Sequence, residues 1–169
     1  MNKLLVLSAL ILSACGQQTQ QSNQDPRSIS GMDPVLAAYR DEFIAAKGRA
    51  LDYDIPMQFS TLTYPIVGMC TRWSNGYRQL QIDPTYWASI TVEMRVELVF
   101  HELGHCDLNR GHTLVPANNT QPTSFMNPYT FWYADSQLSS YVAELFSPSA
   151  ISSTPSLSDT DCVHDIEVK

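Results

Sequence analysis

The chain has 169 residues and a formal charge of −7, length enough for one domain with a core of its own. The acidic balance excludes nucleic acid as a partner, and no basic run points to adhesion on anionic lipid. No internal repeat is visible.

The first element is an export signal. Lys3 precedes the apolar run Leu4-Leu5-Val6-Leu7, which continues to Ile11-Leu12, too short to cross a bilayer as a permanent helix. Residues 1–14 therefore read as a signal peptide. Leu12-Ser13-Ala14-Cys15 resembles the lipobox of bacterial lipoproteins. That resemblance implies cleavage before Cys15, lipidation of its thiol and new amino group, and a lipid bilayer as a partner through the acyl anchor. Gly16, rather than the Asp that retains such proteins in the inner membrane of enteric bacteria, points to the outer membrane, its face undetermined. Residues 15–32 then form the lipidated cysteine and a tether, since Gln17 to Gln24 is polar with no apolar period.

The folded domain is expected over 33–147. Asp33-Pro34 is a helix start, with Val35, Leu36, Tyr39, Phe43 and Ile44 at helical spacing and Gly48 as terminator. Met57 to Leu62 alternates as a strand. Ile66 to Trp73 and Tyr77 to Ile82 flank Ser74-Asn75-Gly76 as a hairpin, which Asp83-Pro84 closes. A helix from about Val92 to Leu108, capped by Thr91 or Ser89, carries the apolar stripe Val92, Val96, Val99, Phe100 and Leu103. Gly104 inside it costs roughly 1 kcal/mol against Ala, which points to close packing against the sheet. A further helix is expected from Ser136 to Phe146, with Leu138, Tyr141, Val142 and Leu145 inward. Residues 148–169, rich in Ser, Thr, Pro and Asp, read as a tail of loop character apart from whatever Cys162 ties down. Helix, strand, hairpin and helices in this order make an α+β fold.

The chemistry sits on the third helix. His101-Glu102-Leu103-Gly104-His105 places two imidazoles four residues apart on one helical face, where they chelate one metal ion, with Glu102 beside them to act on a water molecule. A hydrolytic zinc site needs a third protein ligand and an open position. Glu144 is the only glutamate on the later helix. His112 follows Asn109-Arg110-Gly111, residues that tolerate a sharp turn.

With His112 included, the stretch resembles the metzincin clan of zinc endopeptidases, whose His-Glu-x-x-His-x-x-Gly-x-x-His motif turns at its glycine. Here the interval is one residue longer and Leu108 stands where glycine is expected, while Asn109 precedes His112 by the clan's three residues. Asn is the next-best residue for a left-handed conformation, so the helix would end one residue later. Ser124-Phe125-Met126-Asn127-Pro128 similarly resembles the clan's Met-turn, which places a methionine beneath the metal ligands.

The resemblance implies a small zincin domain: a twisted mixed sheet, a backing helix, an active-site helix and a C-terminal helix. It implies one Zn²⁺ held by His101, His105 and His112, Met126 as the floor, and Glu102 as general base in peptide-bond hydrolysis. It also implies an extended peptide or protein substrate lying antiparallel along an edge strand, for which the Cys70–Ile82 hairpin is the local candidate. Tyr129, just past the Met-turn, is either a transition-state hydrogen-bond donor or a wall aromatic. The competing class is a lipid-anchored structural zinc protein without peptidase activity, its site closed by a fourth ligand such as Cys106. A hydrolase of peptidoglycan peptides is a third reading. An exported chain with Cys70, Cys106 and Cys162 is expected to form one disulfide among them, the pairing open. His164 reads as a solvated tail residue. Nothing in the sequence fixes an oligomeric state.

Overall fold

The computed structural model describes residues 31–113 and 122–147, and the backbone of 164–167. Cys15, Cys162 and the tether lie outside the described residues. The fold is α+β, a four-stranded mixed sheet with helices packed on it.

Helix α1, Pro34–Lys47, begins and ends on local signals. The Asp33 carboxylate accepts the Val35 amide at 2.8 Å, Pro34 occupies the first turn, and Gly48 closes the helix at φ 74°. Such an N-cap stabilises a helix by about 1 kcal/mol. Strand β1 is Met57–Phe59, shorter than the alternation suggested. The Ser60 amide makes its last ladder bond, to the Ile82 carbonyl of the parallel partner, and the Leu62 amide is taken by the Asp83 carboxylate.

Strands β2, Ile66–Arg72, and β3, Arg78–Ile82, form the expected antiparallel hairpin, with Cys70 opposite Leu80. Only Gly76 in its turn takes positive φ (84°), while the Asn75 side chain accepts the Tyr77 amide at 3.0 Å. Asp83-Pro84 does not merely close this hairpin. It starts a helix, α2, Pro84–Ser89, whose Thr85 and Tyr86 amides donate to Asp83. An Asp-Pro pair serves a turn and a helix N-terminus equally well, and here the helix wins.

Helix α3, Val92–Cys106, is capped by Thr91 and nearly every residue after Val96 is buried. It lies against the sheet, and α1 packs on it through Phe43 and Phe100 at 5.2 Å between ring centroids. The single helix expected from Ser136 starts as one tight 3₁₀ turn, Asp135–Gln137, and continues as α4, Leu138–Leu145, with Tyr141 and Leu145 buried.

Two expectations are corrected. The tail read as loop contributes strand β4, His164–Glu167, antiparallel to β2 with His164 opposite Cys70. The order β1-β3-β2-β4 therefore leaves the hairpin without a free edge, and the sheet's edges are β1 and β4. A four-residue strand with so remote a partner has no local signature. Among the described residues no helix is long and apolar enough to cross a membrane.

Candidate metal centre

Histidine spacing on α3 and the turn that follows bring three imidazoles together. The Nε2 atoms of His101, His105 and His112 form a triangle of 2.9, 3.1 and 3.3 Å. A tetrahedral ion with ligand bonds of 2.0–2.1 Å needs its nitrogens about 3.3 Å apart. His101 and His105 are buried, whereas His112 is exposed, so the cluster has a deep side and a solvent side.

The tautomers follow from the carbonyls behind the rings. His101 Nδ1 lies 2.6 Å from the Phe125 carbonyl oxygen, and His105 Nδ1 lies 2.6 Å from that of Arg110. A carbonyl only accepts, so both Nδ1 atoms carry the proton and both Nε2 atoms present a lone pair. Two lone pairs 2.9 Å apart repel, and a cation between them removes the repulsion. The donor set fits a metal ion, and the three histidines are positioned to hold one. Glu102, the next residue after His101, is buried with them.

The third histidine reaches the cluster through a turn held by side chains from several parts of the fold. The helix ends at Cys106, and Asn109 takes the left-handed conformation at φ 55°, the change of direction that the lengthened motif requires. Buried Arg78 donates to the Cys106 carbonyl and, at 2.8 Å, to Asn109 Oδ1, while its guanidinium stacks on Tyr53. Asp107 is fully buried, paired with Lys47 at the end of α1 and accepting the Asp52 amide at 2.6 Å.

Arg110 ties this turn to the rest of the site. Its amide returns to the Gly104 carbonyl at 3.0 Å, and its guanidinium pairs with Glu144 at 2.6 Å and donates to the Leu145 carbonyl. Glu144 also accepts the Ser124 hydroxyl at 2.6 Å, and Ser124 Oγ accepts the Met126 amide at 3.0 Å. Glu144 is thus no metal ligand. It is the clamp joining the His112 turn, the Met126 turn and α4.

Met126 is buried against α3. A Cβ built on Gly104 would overlap Met126 Sδ, lie 3.2 Å from its Cε and 3.4 Å from Leu145 Cδ1. Glycine at 104 therefore answers to close packing with Met126 and Leu145, not with the sheet. Tyr129 is 37 % exposed, which rules out a core position and leaves it at the surface beyond the turn.

Cys106 is bonded to Cys70, joining the end of α3 to β2 across 36 residues of sequence. That pairing removes Cys106 as a thiolate ligand. The roles of Arg110, Ser124, Asp107 and Arg78 have no local signal, and Glu144, a candidate ligand in the sequence, is instead a clamp, because these roles depend on contacts 20 to 60 residues away in sequence. Glu97 had a local signal, one charged residue one turn before His101 in an otherwise apolar stretch.

Comparison with protein-family models, with curated proteins and with solved structures returned no match.

Proposed function

We propose that the chain is a zinc-dependent endopeptidase of metzincin-like design, exported and anchored to the outer membrane through a lipidated Cys15. The observation that carries this reading is the convergence of three Nε2 atoms, two of them fixed as lone-pair donors, beside a buried glutamate on the same helix. Imidazole ligands suit zinc, and a three-histidine set leaves a fourth position for water or substrate. The Cys70–Cys106 disulfide supports an oxidising compartment.

Zinc, once bound, supplies Lewis acidity toward water and the scissile carbonyl. The rest is work for the protein's own residues. Glu102 accepts the proton of the attacking water and passes it to the departing amine nitrogen. The Phe125 and Arg110 carbonyls hold the His101 and His105 rings in register and raise their basicity. Tyr129, at the surface beyond the Met126 turn, is the candidate donor to the developing oxyanion, and its alternative role is a wall of the cleft.

Glu102→Gln tests the assignment. The variant should bind zinc with the stoichiometry of the parent and lose peptide cleavage. Cleavage retained by purified Glu102→Gln would overturn the mechanism. Zinc binding without cleavage by the unaltered chain, across a broad peptide library, would leave the structural zinc protein instead.

A further inference from the structure

A peptide that joins a sheet as an added strand needs a row of unpaired backbone groups at a sheet edge. The sheet here ends at β1 on one side and at β4 on the other. Strand β4 is what covers the outer edge of β2. It runs antiparallel to β2, with His164 opposite Cys70 and Glu167 opposite Ile66.

The covered edge belongs to the strand tied to the candidate metal centre. Cys70 is bonded to Cys106, the neighbour of His105, with Cα atoms 5.6 Å apart. At the end of the same strand, Arg72 donates to Asn109 Oδ1 at 3.3 Å, in the turn that delivers His112. Helix α3 packs against β4 as well as β2. Strand β1, the other edge, lies beyond β3.

Helical geometry turns Glu102 toward this side. Counted from His101 at about 100° per residue, His105 stands at about 40°, Glu102 at about 100° and Cys106 at about 140°. Glu102 therefore falls between the histidine face and the position bonded to β2. It is fully buried. A base that takes a proton from the water attacking a peptide has to be reached by that peptide, so a buried Glu102 belongs to a closed state of the site.

What holds β4 in place is slight. It has four residues, a single neighbouring strand, and a register shift where it meets Ile66 and Gly68. Ladder bonds of this kind exchange for bonds to water, or to another strand, at small net cost.

We propose that β4 is an autoinhibitory strand. Residues 164–167 hold the β2 edge in place of an extended substrate, and the site accepts a peptide when they are displaced. The proposal rests on the peptidase reading and adds the regulation of that site. A strand seated in about 90–99 % of molecules leaves about 1–10 % competent, which raises the apparent KM about tenfold to a hundredfold and leaves kcat unchanged.

The test uses the full zinc-loaded chain with a site for a sequence-specific protease placed within residues 148–163 and cut after purification. The first arm needs no catalysis: a fluorescent peptide with the sequence of residues 163–169 is titrated by anisotropy. The cut chain should bind it, and the uncut chain should bind it about tenfold more weakly or less, because its own strand competes at high effective concentration. Equal binding to both chains, or binding to neither, would overturn the proposal. In the second arm, the cut chain is diluted until the strand separates. KM should then fall about tenfold to a hundredfold with kcat unchanged, and added peptide should raise KM again in competition with substrate. An unchanged KM overturns the proposal, as does activity lost on cutting, the result expected if substrate pairs with β4 itself. A cut chain that no longer melts cooperatively marks β4 as a structural strand and also overturns it. If neither form cleaves any peptide, the peptidase reading fails, and the anisotropy arm alone decides whether the β2 edge exchanges strands.

Discussion

Alanine at position 104 opposes two effects of known sign. Helix propensity favours Ala over Gly by about 1 kcal/mol in the middle of a helix. Against this, the added methyl overlaps Met126 Sδ and crowds Leu145, and both side chains are fully buried. Overpacking of this kind costs about 1–3 kcal/mol. The balance is a net loss of roughly 0–2 kcal/mol, a fall in Tm of up to about 8 °C for a domain of this size. The site should suffer more than the fold. Gly104 lies beside His105, and its carbonyl holds the Arg110 amide, so displacing it shifts the His105 and His112 geometry. Disturbing groups that orient metal ligands costs about 10–100-fold in metal affinity. Thermal melts of the metal-free protein and a competitive zinc titration measure the two effects separately. In a Met126→Ala background the same Gly104→Ala change should become stabilising, since the obstacle is gone. Gly104→Ala that stabilises the unaltered chain by the full propensity gain, with zinc affinity unchanged, would refute the contact.

Glu144→Gln removes the charge partner of Arg110, whose side chain is 4 % exposed against 28 % for Glu144. We expect a loss of about 2–3 kcal/mol in urea unfolding, below the 3–5 kcal/mol of a fully buried pair, with weakened zinc binding because the His112 turn loosens. A change under about 0.5 kcal/mol would contradict the clamp. Replacing Cys70 and Cys106 together by Ala opens a loop of 36 residues of separation and should cost about 4 kcal/mol on the chain-entropy estimate. Two titratable thiols at these positions in the native, unreduced protein would contradict it. Burial pushes the Glu97 carboxyl well above its ordinary 4.5. The folded state then holds a proton that the unfolded state has released, so Glu97 contributes its full stability below pH 4.5 and loses it as pH rises toward the folded value. The stability advantage of Glu97→Gln in chelator should therefore grow with pH above 4.5, and parallel profiles would count against it.

What could be read from the sequence was local. Thr91, Asp33-Pro34 and Gly48 act through neighbours within four residues, so helices α1 and α3 were legible. The histidine pair was legible for the same reason, and Asn109 carries the turn as its backbone tolerance implied. Asp83 was read as a turn although it caps α2, because a six-residue helix has too little periodicity to announce itself. The rest depends on contacts between distant segments. Gly104 was correctly read as a site of close approach, but its partner is Met126, 22 positions later, not the sheet. Glu144 stood out as the only glutamate on the later helix, yet its role required knowing that Arg110 and Ser124 meet it. The disulfide partner of Cys106 and the strand at 164–167 depend alike on β2, which pairs with both.

X-ray absorption at the zinc edge on stoichiometrically loaded protein, paired with peptide cleavage by the same sample, tests the central claim most directly. One zinc per chain with three imidazole nitrogens and one light oxygen ligand, in a sample that cleaves peptide and stops when Glu102 is changed to Gln, is the expected result. A sulfur ligand, a fourth protein nitrogen, or substoichiometric zinc with undiminished cleavage would contradict it.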